Sequence, residues 1–193
     1  MKWQVLKPTK ANYRLKISQD QGVVILDSSG KSEIVIELTR QGTRVLVLGL
    51  VQSTKQDNLQ LKVVTVHQVP NTHAETMIYG LIYDQAQAQI KGLIQIKKNA
   101  QRVTDFLTER ILLLSDRARA IAEPELEIEA DEVRASHAAT VSSLDKTELF
   151  YLMSRGVSAR EAEALIVAGF INQVLVRIDD GKIRRQVSHY VKR

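Results

Sequence analysis

Hydrophobic and polar residues alternate in short bursts along the first two thirds of the chain. Gly22 to Leu26 is a β-branched run that ends at a turn cluster, Asp27-Ser28-Ser29-Gly30. Glu33 to Leu38 is followed by Gln41-Gly42, and Thr43 to Val51 continues the aliphatic pattern. Leu61 to Val66 stops before Pro70-Asn71, and further strands are expected at Glu75–Tyr83, Gln89–Ile96, Arg110–Leu114 and Glu125–Glu129. The period of two is cleanest in the last of these, where Leu126 and Ile128 face one way and three glutamates the other. The strand series therefore runs from about residue 21 to residue 136.

An internal repeat predicts how these strands stack. Asp84-Gln85-Ala86-Gln87-Ala88 recurs as Asp116-Arg117-Ala118-Arg119-Ala120, and the register holds beyond it. Gly92 falls on Pro124, Ile94 on Leu126, and Ile96 on Ile128. A small-residue segment, a turn and alternating aliphatics at fixed offsets are what stacked solenoid coils produce. A chance match in an Ala/Gln/Arg-rich stretch is the competing explanation. No long helix interrupts the strands, which argues against a doubly wound α/β fold.

After residue 143 the period changes. Asp145-Lys146-Thr147-Glu148 opens a segment whose Leu149, Phe150, Leu152 and Met153 have helical spacing, and Gly156 is placed as a left-handed C-terminal cap. Ser158-Ala159-Arg160-Glu161 is a capping box opening a second helix that runs to about Leu175. A third, basic helix is expected after Asp179 as its cap, with Ile183, Val187 and Val191 on one face; a short hairpin about Asp180-Gly181 is the alternative. The chain reads as mainly β, a right-handed parallel β-helix (β-solenoid) over residues 1–142, with a small C-terminal α-helical appendage over residues 143–193.

Composition narrows the chemistry. The 193 residues include no cysteine, which excludes disulfides, Cys-ligated zinc and any cluster held by this chain's own thiolates. Aromatic residues make up only 5%, so the core must be built from Val, Ile, Leu and Ala. No stretch approaches the ~20 apolar residues of a membrane span and no signal-peptide run opens the chain, so a soluble, cytoplasmic protein is expected. The net charge of +5 invites a nucleic-acid reading. However, the acidic stretch from Glu123 to Glu132 interrupts the basic residues, and stacking aromatics are not interleaved with them. Nucleic acid is therefore not an expected partner.

Catalytic motifs are missing as well. The sequence has no phosphate-binding Gly-rich loop, no Gly-x-Ser-x-Gly and no His-Glu-x-x-His. Glu125, Glu127 and Glu129 could mimic a glycosidase pair, but the outward face of a half-buried strand accounts for them. His67 and His73, six apart across Pro70, are too loosely spaced for a metal site and are expected to shape a corner; His189 is expected to be exposed. The sequence gives no reason to expect an enzyme.

One ordered set of blocks is more specific. Pro124-Glu125-Leu126-Glu127-Ile128, then Ala135-Ser136-His137-Ala138-Ala139-Thr140, then Leu149-Phe150-Tyr151-Leu152-Met153-Ser154-Arg155-Gly156, with Glu161-Ala162 and Gly169-Phe170 following, resembles the SufB/SufD family, closest to its SufD branch. These are β-solenoid scaffold components of the SUF iron–sulfur cluster assembly machinery. The strong resemblance covers about residues 110–178, and a weaker one extends upstream through His67, His73, Thr76 and Gly80. This chain is far shorter than typical members, and Ala135 stands where the family usually has Cys.

The resemblance implies a non-catalytic scaffold or adaptor in iron–sulfur cluster assembly. It implies docking of an ABC-type ATPase of the SufC kind through Leu149, Phe150, Leu152, Arg155, Gly156, Leu165, Ile166 and Phe170. It also implies a dimer through the solenoid, with itself or a SufB-like paralogue. His137 matches the family position at the dimer interface and is the candidate metal ligand, since a neutral imidazole can ligate iron; the plainer reading is a histidine bonding the strand-to-helix junction. No cofactor is expected to stay on the chain alone, although a transient iron–sulfur cluster could sit at an interface with a partner. A β-solenoid binding module for a polysaccharide is the competing function; it would present ranks of aromatic residues.

Overall fold

The computed structural model describes residues 1–8 and 11–191, with side chains as far as Tyr190. Twelve strands precede three helices among these residues. They are β1 (Lys2–Leu6), β2 (Asn12–Ile17), β3 (Gln21–Asp27), β4 (Gly30–Leu38), β5 (Arg44–Ser53), β6 (Asn58–His67), β7 (His73–Ile82), β8 (Gln87–Ile96), β9 (Val103–Leu113), β10 (Arg119–Ala122), β11 (Glu125–Ile128) and β12 (Val133–Ser143). The helices are α1 (Lys146–Ser154), α2 (Ala159–Leu175) and α3 (Gly181–Val191). Successive strands go to alternate sheets. Sheet A runs β1-β3-β5-β7-β9-β12; sheet B runs β10-β8-β6-β4-β2, with β11 continuing along β8 beyond β10. Every strand pair is parallel, so the chain is a β-solenoid.

The sequence repeat is a stacking register. Ala88 pairs with Ala120, Ile94 with Leu126 and Ile96 with Ile128. Alternate side chains point between the sheets, and the aliphatics among them, such as Ile34, Ile36, Leu38, Val47 and Ile78, are fully buried. Each such side chain contributes about 1.5–3 kcal/mol by leaving water, which makes this dry interior the main stabilising element. Ala86 and Ala118, the repeated alanines, are also sealed. At the corners, left-handed residues recur in register: Asn71 (φ 55°) and Arg102 (φ 57°) follow Gly42 (φ 77°). The Arg102 side chain donates to Asn71 Oδ1 at 2.7 Å, tying one corner to the next.

The strands start earlier than the alternation suggests. β1 and β2 lie upstream of residue 21 and pair with β3 and β4. Trp3 lies flat on Gly22, where an added Cβ would come within 2.4 Å of the indole. At the other end, β12 continues to Ser143, so the Ser136–Thr140 block is strand and not a strand-to-helix junction.

The caps of α1 and α2 form as their sequences dictate. Asp145 accepts from the amides of Thr147 and Glu148, Gly156 ends α1 at φ +87°, and Ser158 with Glu161 forms the reciprocal capping box. The tail is helical, but its cap is Asp180, which accepts from Lys182 and Ile183. Asp179 instead receives the Trp3 indole N–H and the terminal ammonium. Ile171 and Val174 of α2, Ile178 of the link and Val187 of α3 pack on Val24, Leu26, Leu48, Leu50, Leu81 and Leu112 of sheet A. The helices thus cover the outer face of one sheet. Arg177 donates to Glu75 Oε1 at 2.8 Å and Tyr190 to the Asp27 carbonyl at 2.8 Å, holding them there.

Candidate functional site

The solenoid ends in an open coil. Within the described residues β12 pairs only with β9, and β10 and β11 only with β8, so this end presents unpaired strand edges, a template for another chain. Its inward positions lack a layer above them. Leu126 and Ile128 face inward over Ile94 and Ile96, as the alternation requires, yet remain 37% and 41% exposed. Glu125, Glu127 and Glu129 face outward, against Lys91, Gln95 and Lys97.

His137 stands in the middle of this coil. It pairs with Leu107 of β9, so it belongs to the inward row Ala135, His137, Ala139 and Val141, and it is exposed because that row is the last. Among the described residues no three His, Asp or Glu side chains converge on a ready metal site.

Two buried polar groups lie one layer below, where sequence reading had placed none. Asp105 pairs with Ala135 and Glu109 with Ala139, and both acids are 0% exposed. Asp105 Oδ2 accepts from Thr65 Oγ1 at 2.7 Å and from His67 Nε2 at 3.0 Å, while His67 Nδ1 meets the Thr72 hydroxyl at 2.7 Å. Hydroxyl, imidazole and carboxylate stand in the order of a relay triad. All three are sealed, at 0–1% exposure, so the arrangement ties the corner between β6 and β7 to β9 and offers no route to a substrate. The expected corner role of His67 is realised through this network; His189 is exposed on α3.

Glu109 has no such partners. No side chain donates to either carboxylate oxygen, the Gly92 backbone being its nearest polar neighbour, and Asp105 Oδ1 is also without a donor. Burial outweighs the opposing hydrogen bond from the Gly92 backbone and, with a smaller addition from the negative charge of Glu123, pushes the Glu109 carboxyl up to about 7. Its Oε1 lies 2.7 Å from where a Cβ on Gly92 would stand, so the side chain reaches across the interior to sheet B and fills the space that glycine leaves.

The second group of candidates lies on the helices. Phe150 is 72% and Leu165 55% exposed, and Tyr151 and Met153, which were not among the docking candidates, are exposed as well. Leu149, Leu152 and Ile166 are half-buried. Arg155 lies over the Tyr151 ring at 5.3 Å, next to Gly156. Phe170 is elsewhere: its ring packs on Tyr79 at 4.9 Å and belongs to the contact between helix and sheet. An open cleft of about 1070 Å³ runs between α2 and the solenoid corner, lined by Tyr83, Arg160, Glu163, Leu165 and Ala168.

A polymer-binding face of aromatic ranks is not what sheet B offers. Its outer rows carry ion pairs, Arg14 with Glu37, Lys62 with Glu33 and Lys91 with Glu125, around an aliphatic cluster of Val35, Val64, Val66 and Leu93. No helix of the described residues is long and apolar enough to cross a membrane.

Comparison with known proteins agrees with this architecture. Residues 23–170 match the family described as SUF system FeS cluster assembly, SufBD core domain. The chain is 27% identical over 187 residues to the iron–sulfur cluster assembly protein SufD of Bacillus subtilis, covering 97% of this chain and 41% of that one. It is 34% identical over 152 residues to a SufBD family protein of Synechocystis, covering 71% of this chain and 34% of the relative. To SufD of Escherichia coli it is 33% identical over 107 residues, 55% of this chain and 25% of that one. The chain thus spans less than half the length of these relatives. With the family match running from β3 into α2, and parallel coils throughout it, the chain belongs to the SufBD core family.

Proposed function

We propose that this chain is a SufD-like, non-catalytic scaffold or adaptor in iron–sulfur cluster assembly. Its C-terminal helices dock an ABC-type ATPase of the SufC kind, and its open coil pairs with a SufB-like paralogue or a second copy. The observation that carries the reading is the unpaired terminal coil inside the family-matching region, with His137 on its exposed inner row. Pairing across that edge satisfies the free backbone groups of β12 and covers Leu126, Ile128 and Val141. The cluster is cargo: this chain offers an imidazole at the interface, and thiolates must come from the partner, because the chain has no cysteine.

Docking is assigned to the α1–α2 hairpin, whose Phe150 and Leu165 are exposed while the C-terminal half of α2 packs on sheet A through Ile171 and Val174. The test is co-expression with a genomically adjacent ATPase and capture of the pair. Deleting the helices would strip the cover from Val24, Leu48 and Leu81, so point changes are the cleaner probe. The double variant Phe150→Glu, Leu165→Glu should lose capture while unfolding at the same temperature as the parent. Undiminished capture would move the ATPase site off these helices.

A further inference from the structure

The last coil, β10 to β12, is the least consolidated layer over the interior, and it closes over a buried acid. β10 and β11 have four residues each, and the ladder is broken between them. By register, Glu123 and Pro124 fall opposite Lys91 and Gly92, after the last pair of β10 and before the first of β11. Proline has no amide hydrogen to give to a ladder. The break therefore lies over Gly92, the residue that the Glu109 carboxyl reaches. In sheet A, Glu109 is covered by Ala139 of β12, which is itself exposed, as are His137 and Val141 on either side of it in the inward row. Free strand edges and few buried apolar contacts mark a segment that opens before the rest of a domain.

We infer that the last coil is a proton-linked lid, which closes over the neutral Glu109 side chain and opens more often when that side chain is ionised. A neutral carboxyl suits the sealed site. A carboxylate there has only the Gly92 backbone to hydrogen-bond it, and opening gives it water. The inward rows around it, with Ile78 of β7, Ile90 and Gly92 of β8, Ala122 of β10 and Ala139 of β12, hold one titratable group, His137. Glu123, at the break, adds negative charge; Asp105, on the same strand, is engaged by Thr65 and His67. The carboxyl ionises at about 7 when sealed, against 4.5 for a hydrated glutamate. Opening is therefore favoured about tenfold per pH unit between those values, and levels off above them. A strand paired on β12 would hold the lid shut, so pairing takes up a proton and is tighter at pH 5 than at pH 8. That consequence rests on the proposed pairing; the lid itself does not.

The experiment is hydrogen–deuterium exchange of the full chain at pH 5 and pH 8, each rate divided by the intrinsic rate of the same amide at that pH. In the wild type, the amides of β10–β12 that bond to β8 and β9 should be less protected than those of β5. Their protection should fall at least tenfold from pH 5 to pH 8. Glu109→Gln, which has nearly the shape of the neutral acid, should hold that protection constant. Glu127→Gln, on the outer face, should leave the fall as it is, and β2, at the opposite end, should show none. A last coil as protected as β5, or equally protected at both pH values, would overturn the inference. So would an unchanged fall in Glu109→Gln, or a fall of the same size in β2. If the lid responds to pH as expected but no paralogue or second copy pairs with β12, the lid stands and the assembly role falls; the reverse result removes the lid alone.

Discussion

Replacing Glu109 by glutamine should remove a pH dependence of stability that the wild type carries in its core. The carboxyl ionises at about 7 in the folded chain against 4.5 for an unperturbed glutamate, chiefly because burial disfavours the charge. The folded state therefore holds the proton more tightly than the unfolded state. Stability from this group is fully present below about pH 4.5, erodes as pH rises, and is lost above about pH 7. Each pH unit between the two values is worth about 1.4 kcal/mol, so the full change is about 3 kcal/mol. For a chain of this size that amounts to roughly 6–12 °C in unfolding temperature. Asp27, also raised by burial, acts in the same direction in both proteins and cancels in their comparison. The assay is thermal unfolding of wild type and Glu109→Gln from pH 4.5 to 8.5. The gap between the curves should open with rising pH in favour of the glutamine variant. Parallel profiles would show that burial does not raise the Glu109 carboxyl.

Three other changes probe the same scaffold. Asp105→Asn leaves His67 and Thr65 without their shared carboxylate and should cost about 3 kcal/mol in urea unfolding at pH 7; an unchanged midpoint would mean the network contributes nothing. Gly92→Ala puts a methyl within 2.6 Å of Leu107 and 2.7 Å of Glu109 and should destabilise by about 1–3 kcal/mol, measured the same way. Ser158→Ala removes the capping box of α2 and should cost about 1 kcal/mol, with faster amide exchange confined to the first turn of that helix.

The solenoid was legible where sequence periodicity and tertiary stacking are the same thing. The recurrence of Asp84–Ala88 at Asp116–Ala120 is the pairing of β8 with β10, and the capping box at Ser158 needs only local hydrogen bonds. What escaped detection depends on neighbours distant in sequence. In β1 and β2 the residues Lys2, Gln4, Asn12, Arg14 and Lys16 dilute the apolar signal, and those strands exist because β3 and β4 offer edges. In β12 the run from Ser136 to Ser143 has little hydrophobic alternation, since no layer lies above it. The buried acids invert the usual pattern: Phe106 is 42% exposed while Asp105 and Glu109 beside it are sealed. The stacking register decides which way each points, and nothing in the local sequence records it. Of the candidates, His137 and Phe150 were placed on accessible surface, whereas Phe170 was claimed by Tyr79.

The central claim is that the open coil shares its cargo with a cysteine-bearing partner. Anaerobic reconstitution with iron and sulfide, followed by visible absorption, tests it most directly. This chain alone should stay colourless. A complex with a SufB-like paralogue should acquire a cluster chromophore, and His137→Ala should weaken the chromophore without dissociating the complex. A stoichiometric cluster on the isolated chain, or a cluster in the complex indifferent to His137, would contradict it.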